Sequence, residues 1–232
     1  MQRDINTYGF TQWFFFKVSG AQPHRQYKFN IVNYYKGASL FQEGMKVLVY
    51  SIKEQQNTRR GWHRDGTDIH YFRNGTIEEV GGGRTKQYYT LSFNYTFRYE
   101  DDEVFFAYNY PYTYSELNSY LDRLELQCRS IMYRATVART LAGNRVEILT
   151  ITNFVNTRPK KGIFITGRTH PGLTVSSYIV KGVIDFLTSD DEDAFQLRDN
   201  FVFKIVPMVN PDGVIHGNYR SNLSGSDLNR KW

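Results

Sequence analysis

The sequence predicts a two-domain α+β chain, an antiparallel β-sandwich followed by an α/β domain, and three observations carry that prediction. Short runs in which apolar and polar residues alternate fill most of the first 110 positions. Near Pro111 the pattern changes to helical spacing interleaved with continuous apolar runs. Aromatic residues make up 16% of the 232 positions, with 18 Tyr and 17 Phe, and flat rings suit pleated surfaces. The boundary falls at 110–115, giving domains 1–110 and 111–232.

Strands are predicted at 13–18, 27–32, 46–50, 88–99 and 104–108. The run Tyr27-Lys28-Phe29-Asn30-Ile31-Val32 alternates strictly, which means one face packed and one face wet, as in antiparallel sheet. Turn signals roughly every ten residues are those of a sandwich. The loop Val80-Gly81-Gly82-Gly83-Arg84 lacks the strand-to-helix context and Lys-Ser/Thr ending of a phosphate cradle, so it reads as a hairpin turn. His63 and His70 lie in a polar, turn-rich segment with no carboxylate or thiol in step, which favours surface or packing roles over a metal site.

In the second domain Ser115 is read as the N-cap of a helix whose apolar residues are Leu117, Tyr120, Leu121 and Leu124. A hairpin follows, 133–141 with 145–152 around Ala142-Gly143-Asn144. Next come a strand at 162–168, a helix at 174–187, an acidic segment at 190–193 and a strand at 201–206. Strand, crossover helix and strand imply a parallel pair. The run Ile163-Phe164-Ile165 has the continuous apolar character of a buried central strand. Val175, Tyr178, Ile179, Val183, Phe186 and Leu187 form the helix's expected core-facing stripe.

Composition bounds the function. A hydrophobic share of 41% and a charged share of 22% are those of a soluble globular protein. The net charge of +6 favours an acidic partner, and nucleic acid, anionic lipid and acidic peptide all satisfy it. A nucleic-acid binder gains little further support, because no dense basic helix or clustered Lys/Arg with a stacking motif is present. The single cysteine, Cys128, excludes an internal disulfide framework, fits a reducing compartment and reads as a small packing residue. No export leader and no membrane-length apolar run is seen, so the Asn-x-Ser/Thr triplets at Asn74, Asn94 and Asn222 read as chance matches.

The chemistry-bearing residues cluster after the strands of the second half. Thr169-His170-Pro171-Gly172-Leu173 follows the first of them, where α/β folds place their chemistry. A zinc site would want a carboxylate one helical turn after His170, but that position holds Leu173, which offers no lone pair. Asn210-Pro211-Asp212-Gly213 follows the second strand. Asn218-Tyr219-Arg220 and Asp227-Leu228-Asn229-Arg230 complete the set. Arg presents a rigid, always-charged fork that matches a carboxylate, so two Arg and an Asn would suit a substrate ending in a free carboxylate. Taken singly, His170 can be a satisfied structural histidine, Asn-Pro-Asp-Gly a turn, and Arg220 and Arg230 plain surface charges.

Together and in this order, these motifs resemble the cytosolic carboxypeptidases, a branch of the zinc carboxypeptidases that trims glutamates from tubulin and other acidic tails. The resemblance covers nearly the whole chain. Its anchors are Thr11-Gln12-Trp13-Phe14-Phe15-Phe16, the 27–33 run, Glu43-Gly44-Met45, Phe106-Ala107-Tyr108, Tyr110-Pro111-Tyr112-Thr113-Tyr114, His170-Pro171-Gly172, the 206–214 run, Gly217-Asn218-Tyr219-Arg220 and the 227–230 tetrad. It implies a β-sandwich before an α/β zinc-carboxypeptidase domain, here truncated at its C-terminal side. His170 then matches the first zinc ligand. Arg220 matches the catalytic Arg that polarises the scissile carbonyl and contacts substrate. Asn229 and Arg230 match the pair that clamps the terminal carboxylate. Zinc is the cofactor implied, acidic C-terminal tails such as tubulin's the partner, with no nucleic acid or membrane. The implied location is cytoplasmic, at microtubules or cilia.

The resemblance also exposes departures. The family has Glu where this chain has Leu173, and its third ligand and general base would lie beyond Trp232. The sandwich looks clipped at its start, and the α/β sheet should present an unpaired edge with exposed apolar surface. With one zinc ligand of three, no peptidase activity is expected from this chain alone. The alternative reading is a non-catalytic carboxylate-tail-binding or structural pseudoenzyme on microtubules.

Overall fold

Two compact units divide the chain, Met1–Pro111 and Tyr112–Trp232. The structure is a computed structural model describing residues 1–79, 83 and 85–231.

In the first unit the strands are β1 (Phe15–Ser19), β2 (Gln26–Tyr34) and β3 (Val47–Ser51), then helix α1 (Ile52–Thr58), then β4 (His63–Asp65), β5 (Thr67–Glu79), β6 (Thr85–Thr96) and β7 (Glu103–Ala107). They form two antiparallel sheets, ordered β1-β7-β3-β4 and β2-β6-β5. The inward face of β2 pairs Tyr27 with Tyr95, Phe29 with Phe93 and Ile31 with Leu91. Those rings pack with Phe97 and Phe106 in one aromatic core, for example Phe29 stacked on Phe93 with centroids 5.2 Å apart. Strict alternation thus produces the sandwich expected of it.

Three expectations here change. His63 and His70 lie in strands β4 and β5, not in turns. The many polar residues of 63–79 are tolerated because most positions of β5 face solvent. His63 also has carboxylate neighbours in space although none in step: its Nε2 stands 3.8 Å from Glu54 and 3.7 Å from Asp65. Helix α1 was unforeseen, and Ser51 caps it by accepting from the Glu54 N–H. Apart from Gly83, the glycine-rich loop 80–84 lies outside the described residues.

The second unit contains α2 (Tyr114–Gln127), β8 (Met132–Arg139), β9 (Arg145–Ile151), β10 (Lys161–Thr166), α3 (Val175–Leu187), α4 (Glu192–Asn200), β11 (Phe201–Val206) and α5 (Pro211–His216). Its sheet is mixed, ordered β10-β11-β9-β8, with β10 and β11 parallel in register Lys161↔Phe201 to Thr166↔Val206. The core gathers Leu117, Leu121, Leu149, Ile151, Ile184 and Ile205.

Four readings are corrected. Thr113, not Ser115, caps α2: its hydroxyl accepts from the Glu116 N–H while the Glu116 carboxylate accepts from the Thr113 N–H. β10 is an edge strand among the described residues rather than a central one, and Phe164 is 65% exposed. Continuous apolar character reports what a strand can bury, and among the described residues β11 is the one strand that pairs with it. α3 faces the core through Ser177, Val180, Ile184 and Leu187, while Val175, Tyr178, Ile179 and Phe186 are exposed. The helix is apolar on both faces, so spacing alone could not choose between them. The acidic segment 190–193 opens α4, with Asp191 accepting from the N–H groups of Asp193 and Ala194.

Candidate functional site

The parallel β10–β11 pair delivers both site loops to one end of its sheet. After β10 the Gly167 N–H donates to the Val206 carbonyl and the Val209 N–H to the Gly167 carbonyl, tying the two strand ends together. A Cβ on Gly167 would stand 2.9 Å from the Pro207 carbonyl oxygen, so this crossing needs glycine.

Arg168 then turns the chain with φ +52°. Its side chain is only 3% exposed and folds back under the loop. The guanidinium donates to the Pro171 carbonyl (2.7 Å), the Tyr112 carbonyl (3.0 Å) and the Ser177 hydroxyl (2.9 Å). No carboxylate is among these partners, and burial pushes its pKa down to about 10 despite the opposing pull of Tyr178, Tyr112 and Glu116. The strand predicted at 162–168 ends at Thr166, and Arg168 belongs to the turn. A cation directly before the Thr-His-Pro-Gly turn was the available signal.

The turn itself is clamped from the other side. The Gly172 N–H donates to the Tyr219 carbonyl (2.8 Å), and a Cβ on Gly172 would stand 2.5 Å from the Tyr219 ring. The Leu173 N–H donates to the His170 carbonyl (3.2 Å), so position 173 follows His170 by one tight turn. That is where a second ligand would belong, and a 38%-exposed isobutyl group occupies it.

His170, Arg220 and Asp227 meet. Asp227 Oδ1 accepts from His170 Nε2 (2.8 Å) and from the Asn229 N–H (3.0 Å), and its Oδ2 accepts from Arg220 Nε (2.7 Å). Burial alone would raise the Asp227 pKa. The donors from His170, Arg220 and Asn229 outweigh it and hold the carboxylate below its usual range. This network assigns the imidazole proton to Nε2 and turns the Nδ1 lone pair away from Asp227. Asp227 is therefore an orienting residue for both side chains. Its neighbours Asn229 and Arg230 are the residues with sequence-predicted roles, while Asp227 is the carboxylate within reach of a candidate ligand that commonly fixes such an imidazole.

Asn229 and Arg230 sit on a 3-10 turn (Leu228–Arg230) that Asp227 caps. Both are exposed, and Arg230 Nη1 donates to the Asn229 carbonyl (3.1 Å). Asn210-Pro211-Asp212-Gly213 is a helix start rather than a free turn: Asn210 caps α5 and Pro211 occupies its first turn. Asp212 is buried and accepts from Thr140 Oγ1 (2.6 Å), the Ala142 N–H (3.0 Å) and Asn144 Nδ2 (2.8 Å). It anchors the β8–β9 hairpin and takes no part in the constellation.

The donor set does not fit a catalytic zinc ion. Such a site needs a lone-pair donor at each ligand position, and here a hydrocarbon, the Leu173 side chain, stands at the second one. Among the described residues no group of three His, Cys, Asp or Glu side chains is arranged to hold a metal.

Known proteins share this architecture. The family model described as zinc carboxypeptidase matches residues 117–232. The chain is 43% identical over its whole length to cytosolic carboxypeptidase 1 of Homo sapiens, and 43% identical over 99% of its length to cytosolic carboxypeptidase 4 of Mus musculus. It spans 20% and 22% of those relatives. A solved metallo-carboxypeptidase from Burkholderia cenocepacia is 25% identical, with a TM-score of 0.75, covering 99% of this chain and 55% of that one. A metallo-carboxypeptidase from Pseudomonas aeruginosa, solved in complex with (2-guanidinoethylmercapto)succinic acid, is 25% identical with a TM-score of 0.72, covering 99% and 54%. The chain belongs to the zinc carboxypeptidase family, in its cytosolic carboxypeptidase branch. The α+β fold is accordingly that of part of such an enzyme.

Proposed function

We propose that this chain is a carboxypeptidase-fold module that binds the C-terminal carboxylate of glutamate-rich protein tails, such as tubulin's, in the cytoplasm at microtubules or cilia. It binds these tails and does not cut them. The observation that carries this reading is the combination of Leu173 at the ligand position with an ordered Asp227–His170–Arg220 network. A site without a second ligand loses the metal chemistry, while its Arg and Asn groups keep their value for an anion. Asp227 fixes Arg220, and Asn229 and Arg230 stand exposed on the adjoining turn. The net charge of +6 complements an acidic tail. The succinic acid derivative bound by the Pseudomonas aeruginosa relative is a dicarboxylic acid, which also supports carboxylate recognition on this fold.

The family's parent chemistry, zinc-dependent removal of C-terminal glutamates with Arg220 polarising the scissile carbonyl, is the second reading. The 43% identity to cytosolic carboxypeptidase 1 favours it, and Leu173 counts against it.

Calorimetric titration with a tetraglutamate peptide tests the proposal. The free acid should bind, and blocking its C-terminus as the amide should weaken binding about tenfold through loss of charge-assisted bonds. Mass spectrometry of the same mixture should show an intact peptide. Equal binding of acid and amide, or stepwise loss of glutamate, would overturn the proposal.

A further inference from the structure

The sandwich unit carries an open depression of about 450 Å³ that the tail-binding role does not use. Its polar lining is Lys28, Gln42, His70 and Ser92, and its apolar walls include Ile69 and Phe72. Ser92 lies on the middle strand β6, paired with Asn30 on β2 and His70 on β5, and Lys28 is two residues before Asn30.

Two features of this lining point to a ligand. Ser92 is only 2% exposed, yet its hydroxyl makes no hydrogen bond among the described residues. Native structures rarely leave a buried hydroxyl unmatched, because it gives up water without replacement. The other polar groups are also donors. Lys28 is an ammonium with no ion pair among the described residues, and His70 has a ring N–H. Gln42 uses its Oε1 to accept from the Ser39 N–H, leaving its amide N–H₂ to donate elsewhere. Among the described residues no acidic side chain lines the depression. Four donor-capable groups, one of them cationic, around a space without a carboxylate match the oxygens of an anion.

We propose that this depression is a second anion site, which takes a side-chain carboxylate of an acidic peptide. The choice of peptide rests on the glutamate-tail reading above; the anion chemistry rests on the depression alone. The apolar walls would cover the methylenes of a glutamate side chain, and an open depression on a sheet face admits an extended chain.

The test uses the full chain and a tetraglutamate peptide amidated at its C-terminus, which removes the terminal carboxylate that Asn229 and Arg230 would hold. Side-chain NMR should show saturable shifts of the His70 ring on titration. Lys28→Gln should weaken the interaction about fivefold, the scale of a partly exposed ion pair. Ser92→Ala should weaken it too while raising Tm, because it deletes an unmatched buried hydroxyl. A purely structural Ser92 would not move binding and stability in opposite directions. Arg230→Ala should leave the His70 response intact, so loss of the terminal-carboxylate reading alone would not remove it. An unmoved His70 ring, unchanged affinity in Lys28→Gln, or inorganic phosphate acting as strongly as the peptide would each overturn the proposal.

Discussion

Asp227→Asn separates charge from shape at the centre of the site. The carboxylate receives His170 Nε2 at 2.8 Å and Arg220 Nε at 2.7 Å. A bond to a charged group is worth about 1.5–3 kcal/mol and a neutral one about 0.5–1.5 kcal/mol. Removing the charge at two contacts would then cost about 2–3 kcal/mol. Because the Arg220 side chain is a quarter exposed, solvent screening reduces this to about 1–2 kcal/mol. The carboxamide also changes the imidazole. Its oxygen can serve Arg220 only if its N–H₂ faces His170, which forces the proton from Nε2 to Nδ1. Nitrogen-resolved NMR should therefore show the Nε2–H tautomer in the parent chain and a growing Nδ1–H population in the variant. Urea denaturation should show the stability loss. An unchanged tautomer together with a loss under about 0.3 kcal/mol would refute the orienting role assigned to Asp227.

Other consequences follow from the same contacts. Asp212→Ala removes the acceptor for Thr140, Ala142 and Asn144 in a buried position, and should cost the second unit about 3–4 kcal/mol in urea denaturation. A loss below about 1 kcal/mol would mean the hairpin is held elsewhere. In the sandwich, hydrogen bonds from Tyr35, Tyr88 and Arg3 pull the Glu78 carboxyl from 4.5 down to about 2. A folded-state pKa below the unfolded value gives stability that is present above pH 4.5 and lost as pH falls towards 2. Glu78→Gln should flatten that part of the acid-stability curve, and an unaltered curve would contradict the assignment. Arg168→Met leaves the buried Pro171 and Tyr112 carbonyls without their donor, and should cost about 2 kcal/mol after the relief of burying an unpaired cation. A gain in stability on the same measurement would show that desolvation dominates.

Much of the fold was legible because alternation and crossover spacing are local signals. Strand 201–206 emerged with its predicted limits, and 27–32 lies within β2. What was hidden depends on partners that no local window contains. α3 is apolar on two faces, so its buried side is decided by which neighbours are present. Thr113 outcompetes Ser115 because Glu116 stands three residues after it and completes a reciprocal cap. β5 was missed because its outward polarity masks its period. At the site, the turn bearing His170 and the tetrad holding Asn229 and Arg230 were visible as motifs. Asp227 and Arg168 were not assigned, since their roles rest on contacts across 57 residues to His170 and 56 residues to Tyr112.

Leu173 leaves this fold without a second metal donor, and zinc content after dialysis of the purified chain against buffered micromolar zinc tests this. The expected result is well under one zinc per chain, with the His170 ring resonances unmoved. One tightly retained zinc per chain, broadening or shifting those resonances, would contradict it.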